Sequence, residues 1–287
     1  MFCSISEQLY SSKYRFLYEL VQNADDSSYR KLPWFGGASP FLRFEVRPDT
    51  LIVETNEDGF SRANIEAICA TGKSSKKGLE TDNHIGEKGF GFKSVFSIAD
   101  EVRIQSGLWS FYFVHRRGED GLGMVTPLDA SPESLPEGVT TRITLRYSEE
   151  AKQEYSRLVE AVKDLPDTMI LFLQRLLTIH INITGPDTPC EKTTFTKSYN
   201  ISRSQCTIAG SRQCNDSTES SKCTYFMFSQ MRRNMPSHDR RKNRKEAKIE
   251  LAFPIDPTTQ QPKLSEMGQH VFAYLPLQRL SQIQVSA

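Results

Sequence analysis

Two polar side chains, at positions 19 and 23, are spaced so that both project from one face of a helix. Glu19 and Asn23 lie in segment 5–26, where apolar residues recur at helical spacing, and Asp26 follows nearly one turn later. An amide oxygen is a hard ligand suited to Mg²⁺, and a carboxylate one turn away can orient a water for attack on a phosphate. Such pairs also simply solvate helices, so the chemistry needs support from elsewhere in the chain.

A glycine-rich segment precedes a predicted helix and reads IGEKGFGFK over residues 85–93. Gly86, Gly89 and Gly91 allow backbone N–H groups to approach phosphate oxygens closely. The order GxxGxG differs from the Rossmann pattern, and the Gly-Lys-Ser at 72–74 lacks the earlier glycine of a P-loop. The segment therefore predicts a phosphate-binding loop of another kind, with a glycine-rich turn that holds no ligand as the alternative.

An acidic cluster, Asn56, Glu57, Asp58 and Gly59, stands between these two segments, at the end of a predicted strand. A carboxylate accepts a hydrogen bond from an exocyclic amine but not from a carbonyl, which makes it suited to reading adenine. An ordinary Asn-Glu-Asp-Gly turn is the alternative.

The elements that must position these residues alternate irregularly along the chain. Hydrophobic periodicity predicts helices over 63–70, 149–165 and 168–177 in addition to the first helix. It predicts strands over 41–46, 50–54, 102–105, 109–115, 141–147, 179–183, 223–228, 249–253 and 271–275. This order predicts an α+β fold, a two-layer sandwich whose mixed sheet is covered by helices on one face. The composition changes near residue 186, so we expect a first domain over 1–185 and a smaller β-rich segment over 186–287.

Composition excludes several classes of protein. The 287 residues hold 36 basic and 35 acidic side chains, so no global field favours nucleic acid or an anionic membrane. The longest apolar run, 169–173, is far shorter than the roughly 20 residues of a membrane helix. The first residues lack the pattern of a secretory signal, and the six cysteines form no CxxC pair. We therefore expect reduced thiols, a cytoplasmic or nuclear protein, and no membrane partner.

The order of these motifs resembles the GHKL superfamily of ATP-binding domains, which includes the ninety-kilodalton heat-shock chaperone, gyrase, MutL and histidine kinases. Residues 19–26 (ELVQNADD) look like its N box, Gly59 like the glycine of its first glycine box, and 85–92 like the second. Residues 140–145 (TTRITL) resemble the third box, in which Thr141 keeps the hydroxyl. The likeness implies a Bergerat fold that binds ATP with Mg²⁺.

Within the superfamily the chain is most similar to the sacsin and NO VEIN type, whose typical motifs are QNADD, NExGF, GKSSK and IGxKGFGFKSVF. This likeness covers residues 5–147 well and implies that Asn23 coordinates Mg²⁺ and that Glu19 positions the hydrolytic water. It also implies that phosphates are contacted by Gly86, Gly89, Gly91 and Phe92, and that a lid contains Lys73, Ser74, Lys76 and Lys77. Asp26 and Thr141 complete the expected nucleotide-binding residues.

One position departs from the superfamily pattern. The usual adenine aspartate lies four residues before the box glycine, and Thr55 occupies that position here. The adenine contact is therefore expected to move to Asn56, Glu57 or Asp58.

Two function hypotheses follow. In the first, intact Glu19 and Asn23 support Mg²⁺-dependent ATP binding, with slow hydrolysis to ADP and phosphate that drives lid closure in a chaperone-like or regulatory protein. In the alternative, Thr55 and the end of the chain at Ala287, before a full middle domain, favour a non-catalytic nucleotide-binding or protein-interaction module. The resemblance allows a client protein and a nucleotide-dependent dimer as partners. A histidine kinase is disfavoured, because only 18 residues precede Glu19.

A basic stretch at 232–245 is the one local signal for nucleic acid, because clustered Arg and Lys neutralise phosphates. No aromatic residue lies among these charges to stack on bases, so a solvated loop between two strands is the favoured interpretation.

Overall fold

The structure is a computed structural model that describes residues 13–32, 38–70, 90–116, 118, 121–185, 188–233, 246–263, 269–273 and 275–280. The helices are α1 (Arg15–Asp26), α2 (Arg62–Cys69), α3 (Phe90–Lys93), α4 (Glu149–Gln153) and α5 (Tyr155–Lys163). Short 3₁₀ turns span Ser94–Ser97, Leu122–Met124, Asp167–Ile170 and Ile201–Arg203. None of the helices in these ranges is long and apolar enough to cross a bilayer.

The strands of the described residues form one large sheet and a separate hairpin. The sheet contains β1 (Phe41–Val46), β2 (Thr50–Thr55), β3 (Ala99–Ser106), β4 (Trp109–Val114), β5 (Leu128–Asp129), β6 (Thr141–Tyr147), β7 (Thr178–Gly185), β8 (Thr188–Asn200), β9 (Gln205–Cys214), β10 (Ser217–Arg232) and β11 (Ala247–Ile255). Their order is β11-β10-β9-β8-β7-β1-β2-β6-β3-β4-β5, and β12 (Gln269–Ala273) pairs with β13 (Leu275–Leu280). Strand β7 runs parallel to β1, while the other pairings are antiparallel, so the sheet is mixed as the sequence predicts.

Alternation of side chains explains how the central strands build the core. On β1, Leu42, Phe44 and Val46 are buried while their neighbours are half-exposed, because successive side chains point to opposite faces of a sheet. Helix α1 contributes Phe16, Leu17, Leu20, Val21 and Ala24 to the same hydrophobic cluster, and α5 contributes Leu158, Val159 and Val162. Each large apolar side chain buried in this way stabilises the fold by about 1.5–3 kcal/mol at most.

Strands β8 to β11 continue the sheet past residue 186, where the sequence places a boundary between two units. β8 pairs with β7 from Thr178↔Thr196 to Gly185↔Thr188. Across the same junction, Glu191 of β8 forms ion pairs with Lys163 of α5 and Arg212 of β9. The division into 1–185 and 186–287 stays a prediction.

Two predicted helices differ from the observed structure. The prediction over 149–165 is interrupted at Glu154, whose backbone (φ −99°, ψ 17°) leaves the helical region and whose carboxylate is held by Lys13 and Arg157. The prediction over 168–177 is wrong. After the 3₁₀ turn at Asp167–Ile170, the amides of residues 174–176 donate to the Asp25 carboxylate of α1, and those donors are therefore not used within a helix.

Candidate functional site

Helix α1 holds the first group of predicted site residues. It forms because its apolar residues recur at helical spacing and pack on the sheet, which leaves the polar residues on the opposite side. Glu19 is partly exposed and lies 3.5 Å from Arg15 Nε, and Asn23 is half-buried one turn later on the same face. Asp26 is the last residue of the helix.

The Glu19 carboxylate lies directly against Gly91 of α3. A Cβ atom built on Gly91 would collide with Oε2 of Glu19 and would lie 3.2 Å from its Cδ. Helices α1 and α3 pack together at this point. A glycine at position 91 thus allows the candidate catalytic carboxylate to touch the backbone of the candidate phosphate loop.

Phe92, the next residue, is buried in the hydrophobic core, with 8% of its surface exposed. Its ring is thus part of the packing beneath α3, and only its backbone is suited to contact a phosphate. The other predicted phosphate-loop and lid residues lie outside the described residues: Lys73, Ser74, Lys76, Lys77, Gly86 and Gly89.

Lys93 connects the two ends of the undescribed segment 71–89. Its ammonium donates to the carbonyl of Ala70 over 2.6 Å. Burial lowers the pKa of Lys93, and it raises the pKa of the neighbouring Cys69 thiol. The residues that flank the segment are therefore held close together.

Asp58 fixes the turn after β2 to the chain that leaves α1. Its carboxylate accepts hydrogen bonds from Ser28 Oγ and from the amides of Arg30 (3.0 Å) and Lys31 (2.7 Å). Slight burial acts to raise the pKa of Asp58, but these donors and the Lys31 charge outweigh it and lower the pKa. Gly59 follows with φ +90°, a left-handed conformation that favours glycine.

Asn56 makes a second backbone connection from the acidic cluster. Its Oδ1 accepts from the amide of Phe41 and its Nδ2 donates to the carbonyl of Ser39, both over 2.9 Å. These bonds pair the chain just before β1 with the end of β2, and the side chain is 6% exposed.

Glu57 belongs instead to a buried row of hydroxyls. Thr141 Oγ1 donates to Glu57 Oε1 over 2.7 Å and lies 2.5 Å from Ser106 Oγ. A hydroxyl has one proton, so Ser106 must donate to Thr141 in this arrangement. The amide of Phe60 in turn donates to Ser106 over 2.8 Å.

Thr55 lies beside this row because β2 and β6 pair Thr55 with Thr141, while β3 and β6 pair Ser106 with Thr141. Its hydroxyl is buried and has no hydrogen-bond partner among the described residues. A buried hydroxyl without a partner is costly, by about 1–3 kcal/mol in mutational data. It is therefore a buried polar atom whose hydrogen-bonding capacity the described residues leave unused.

Tyr29 adds a neutral phenol to the same region. Burial first, and then the carboxylates of Glu57 and Asp25, raise its pKa, so the phenol stays protonated and donates to the carbonyl of Ala24 over 2.9 Å. Tyr29 is therefore a neutral hydrogen-bond donor that lies within the electrostatic influence of both Glu57 and Asp25.

Among the described residues, the structure brings Glu19 into contact with Gly91 and Glu57 into contact with Thr141. Several residues of the region were not predicted from the sequence, among them Asp25, Ser106, Arg175 and Lys93. Asp25 and Lys93 lay within recognised motifs, but the contacts of all four residues depend on positions distant in sequence.

The basic stretch 232–245 lies mainly outside the described residues. Arg232 and Arg233 are described and exposed, and Arg233 Nε lies 3.6 Å from a carboxylate oxygen of Glu246. The described cysteines, Cys69, Cys190, Cys206, Cys214 and Cys223, are free thiols.

Comparison with known proteins found similarity to a plant protein and to bacterial chaperones. The chain is 35% identical to Protein NO VEIN of Arabidopsis thaliana over 189 residues, which are 60% of this chain and 7% of that protein. It is 30% identical to Chaperone protein HtpG of Rickettsia rickettsii over 179 residues, 55% of this chain and 29% of that protein. Against HtpG of Mesorhizobium japonicum it is 30% identical over 166 residues. No family model matches the chain.

The chain thus spans less than a third of the length of these relatives. Its similarity to NO VEIN and to a bacterial chaperone agrees with the resemblance drawn from the motifs.

Proposed function

We propose that this chain is a GHKL-type domain, with the two-layer Bergerat arrangement, that binds ATP together with Mg²⁺. The observation that carries the proposal is the contact between Glu19 of α1 and Gly91 of α3. It joins the helix that bears Asn23 to the end of the glycine-rich segment, so a metal ion held by Asn23 would lie near a phosphate bound by that segment. The similarity to HtpG chaperones supports the same assignment.

The residues present fit such a ligand. Asn23 offers a hard amide oxygen to Mg²⁺, and Mg²⁺ would neutralise phosphate charge there. Gly91 has no side chain of its own, so its backbone allows a neighbouring group to approach closely, as the Glu19 carboxylate does. Glu19, in contact with that backbone, is placed to orient a water, with ADP and phosphate as the products.

For the base, we propose that Glu57 and Thr55 are the readers of adenine. The bonds of Asn56 and Asp58 to backbone groups support this choice among the three acidic-cluster residues. The buried Thr55 hydroxyl has no partner among the described residues, and Glu57 supplies a carboxylate acceptor next to it in the same row. A carboxylate accepts from the amine of adenine and rejects the carbonyl of guanine.

Calorimetric titration with ATP and Mg²⁺ tests the proposal. We expect binding by the intact chain and a loss of at least about ten-fold in Asn23→Ala, because removal of a metal-site group typically costs that much. Glu66→Ala, on an exposed part of α2, is the matched control and should bind normally. Unchanged affinity in Asn23→Ala would contradict the metal assignment.

Turnover separates the two function hypotheses. Hydrolysis that disappears in Glu19→Ala, with binding kept, supports an ATPase. Binding without hydrolysis in the intact chain supports the alternative, a non-catalytic nucleotide-binding module. In either case we propose a client or partner protein, since the HtpG relatives are chaperones by name.

A further inference from the structure

Each of the last four carbonyls of α1 accepts a hydrogen bond. A helix leaves its final carbonyls without intrahelical donors, and α1 has neither a glycine cap nor a basic residue in its last turn. Ser27 Oγ donates to the carbonyl of Asn23 over 2.9 Å. The Ala24 carbonyl accepts from the Ser27 amide (3.2 Å) and the Tyr29 hydroxyl (2.9 Å).

The two remaining carbonyls, of Asp25 and Asp26, are bound from far along the chain. Arg175 Nη1 donates to them over 3.2 and 2.8 Å respectively. A guanidinium at this place also complements the negative end of the helix dipole. Arg175 therefore performs the capping that α1 lacks in its own sequence.

Asp25 in turn accepts hydrogen bonds from the segment that contains Arg175. Its carboxylate, 6% exposed, accepts from the amides of Gln174 (2.8 Å), Arg175 (2.7 Å) and Leu176 (2.9 Å). Bonds from N–H groups to an ionised acceptor are stronger than neutral ones. We name these five bonds, three to the Asp25 carboxylate and two from Arg175, the Asp25–Arg175 clamp.

The other side of segment 173–178 is fixed to the centre of the sheet. The amides of Leu177 and Thr178 donate to the Pro40 carbonyl just before β1, over 3.1 and 3.2 Å. Lys197 of β8 makes two further bonds: its backbone amide donates to the Leu177 carbonyl over 2.8 Å, and its side-chain ammonium donates to the Leu173 carbonyl. The clamp therefore joins the end of α1 to a segment that the sheet itself holds in place.

We propose that Asp25 and Arg175 are positioning residues that set Mg²⁺-dependent nucleotide affinity by fixing Asn23. This inference rests on the proposed function, in which Asn23 is the metal ligand. Asn23 lies in the same final turn as Asp25, so a shift of that turn moves the amide oxygen directly. Misplacement by about 1 Å is enough to cost about 100-fold where geometry decides.

Three variants test the clamp. Asp25→Asn keeps the shape but turns an acceptor oxygen into an NH₂ group that faces backbone N–H donors. Arg175→Ala removes the cap, and Arg175→Lys restores one donor and the charge. Each is titrated with ATP in Mg²⁺ and again in EDTA, and its urea unfolding is measured alongside.

We expect Asp25→Asn and Arg175→Ala to weaken binding in Mg²⁺ by about ten-fold or more, with Arg175→Lys recovering part of the loss. The affinity in EDTA should change much less, because without the metal the position of Asn23 matters less. Glu191→Gln, which weakens a distant ion-pair cluster, is the control. It should lose stability and keep wild-type affinity, which separates positioning from loss of folding.

The outcomes distinguish the two proposals. If the intact chain binds no ATP, the proposed function fails and this inference fails with it. If the intact chain binds and Asn23→Ala does not, but Asp25→Asn and Arg175→Ala bind as the wild type does, only this inference is overturned. Equal losses in Mg²⁺ and EDTA would likewise overturn it, because they indicate a general disturbance of the fold.

Discussion

Replacing Glu191 with Gln tests whether strands β8 to β11 fold as one unit with the rest of the sheet. The Glu191 side chain is 4% exposed and lies 2.6 Å from Lys163 Nζ on α5 and 2.7 Å from Arg212 Nε on β9. Lys163 precedes the predicted boundary near residue 186, and Glu191 and Arg212 follow it. The variant keeps the volume of the side chain but removes its charge.

The magnitude follows from the two bonds. A hydrogen bond to a charged group contributes about 1.5–3 kcal/mol, and glutamine can still accept one of the two. Lys163 and Arg212 are 30% and 49% exposed, so water recovers part of their solvation. We therefore expect a loss of about 2–3 kcal/mol in the free energy of unfolding, below the cost of leaving a fully buried charge unpaired.

Urea unfolding followed by far-ultraviolet circular dichroism and by tryptophan fluorescence measures this loss. Trp109 lies on β4, far from Glu191 in the strand order, and Trp34 is replaced by Phe in every chain compared so that Trp109 alone supplies the signal. For a slope of about 3 kcal/mol per M, the common midpoint should fall by about 1 M with both probes. Glu66→Gln, which removes an exposed i,i+4 pair with Arg62, is the control and should cost less than about 0.5 kcal/mol.

Separate transitions would refute this reasoning. If circular dichroism lost amplitude early in Glu191→Gln while the tryptophan midpoint stayed at its wild-type value, residues after 186 would unfold independently. The predicted domain boundary would then be correct, and the ion pairs across it would be too weak to couple the two parts.

Two further changes give signatures of their own. Thr55→Val replaces a buried hydroxyl that has no partner among the described residues. We therefore expect the free energy of unfolding of the nucleotide-free chain to rise by about 1 kcal/mol, while ATP affinity falls. A stability loss in thermal unfolding would show that the hydroxyl is already satisfied. Lys197→Met removes an ammonium whose pKa burial lowers to about 8. The folded chain therefore binds fewer protons than the unfolded chain between pH 8 and the ordinary lysine pKa of 10.5. As the pH rises across that window, the free energy of unfolding of the wild type should increase by up to about 3 kcal/mol relative to that of the variant. Parallel unfolding curves for both chains at pH 7.5 and 10 would contradict the lowered pKa.

Most of the central sheet could be predicted because apolar and polar residues alternate along its strands. The predictions over 41–46 and 141–147 are confirmed to the residue, since buried and half-exposed side chains alternate there. Strands β8 and β9 were missed because Ser, Thr and charged residues cover their outer face and weaken the hydrophobic signal. The supposed helix over 168–177 had helical spacing, but the distant Asp25 carboxylate takes the amides of residues 174–176.

For the site, the sequence indicated the types of residue but not all of their tasks. Asn56, Glu57 and Asp58 are equivalent candidates on paper because each offers an oxygen acceptor. The structure distinguishes their surroundings: Asn56 and Asp58 bond to backbone groups of neighbouring segments, while Glu57 bonds to Thr141. Such differences depend on the direction of each side chain at the end of β2, which composition does not encode.

The sequence by itself determined which candidate groups are present and which of them share a local element. Glu19 and Asn23 share one helix face because side chains four positions apart do so, and the glycines precede or begin α3. Only the tertiary structure decided which groups meet. Glu19 touches Gly91, Thr141 reaches Glu57, and Arg175 caps α1 from about 150 positions away. These contacts arise from the pairing order of the strands and the packing of α1 on the sheet, both of which join segments that no local pattern connects.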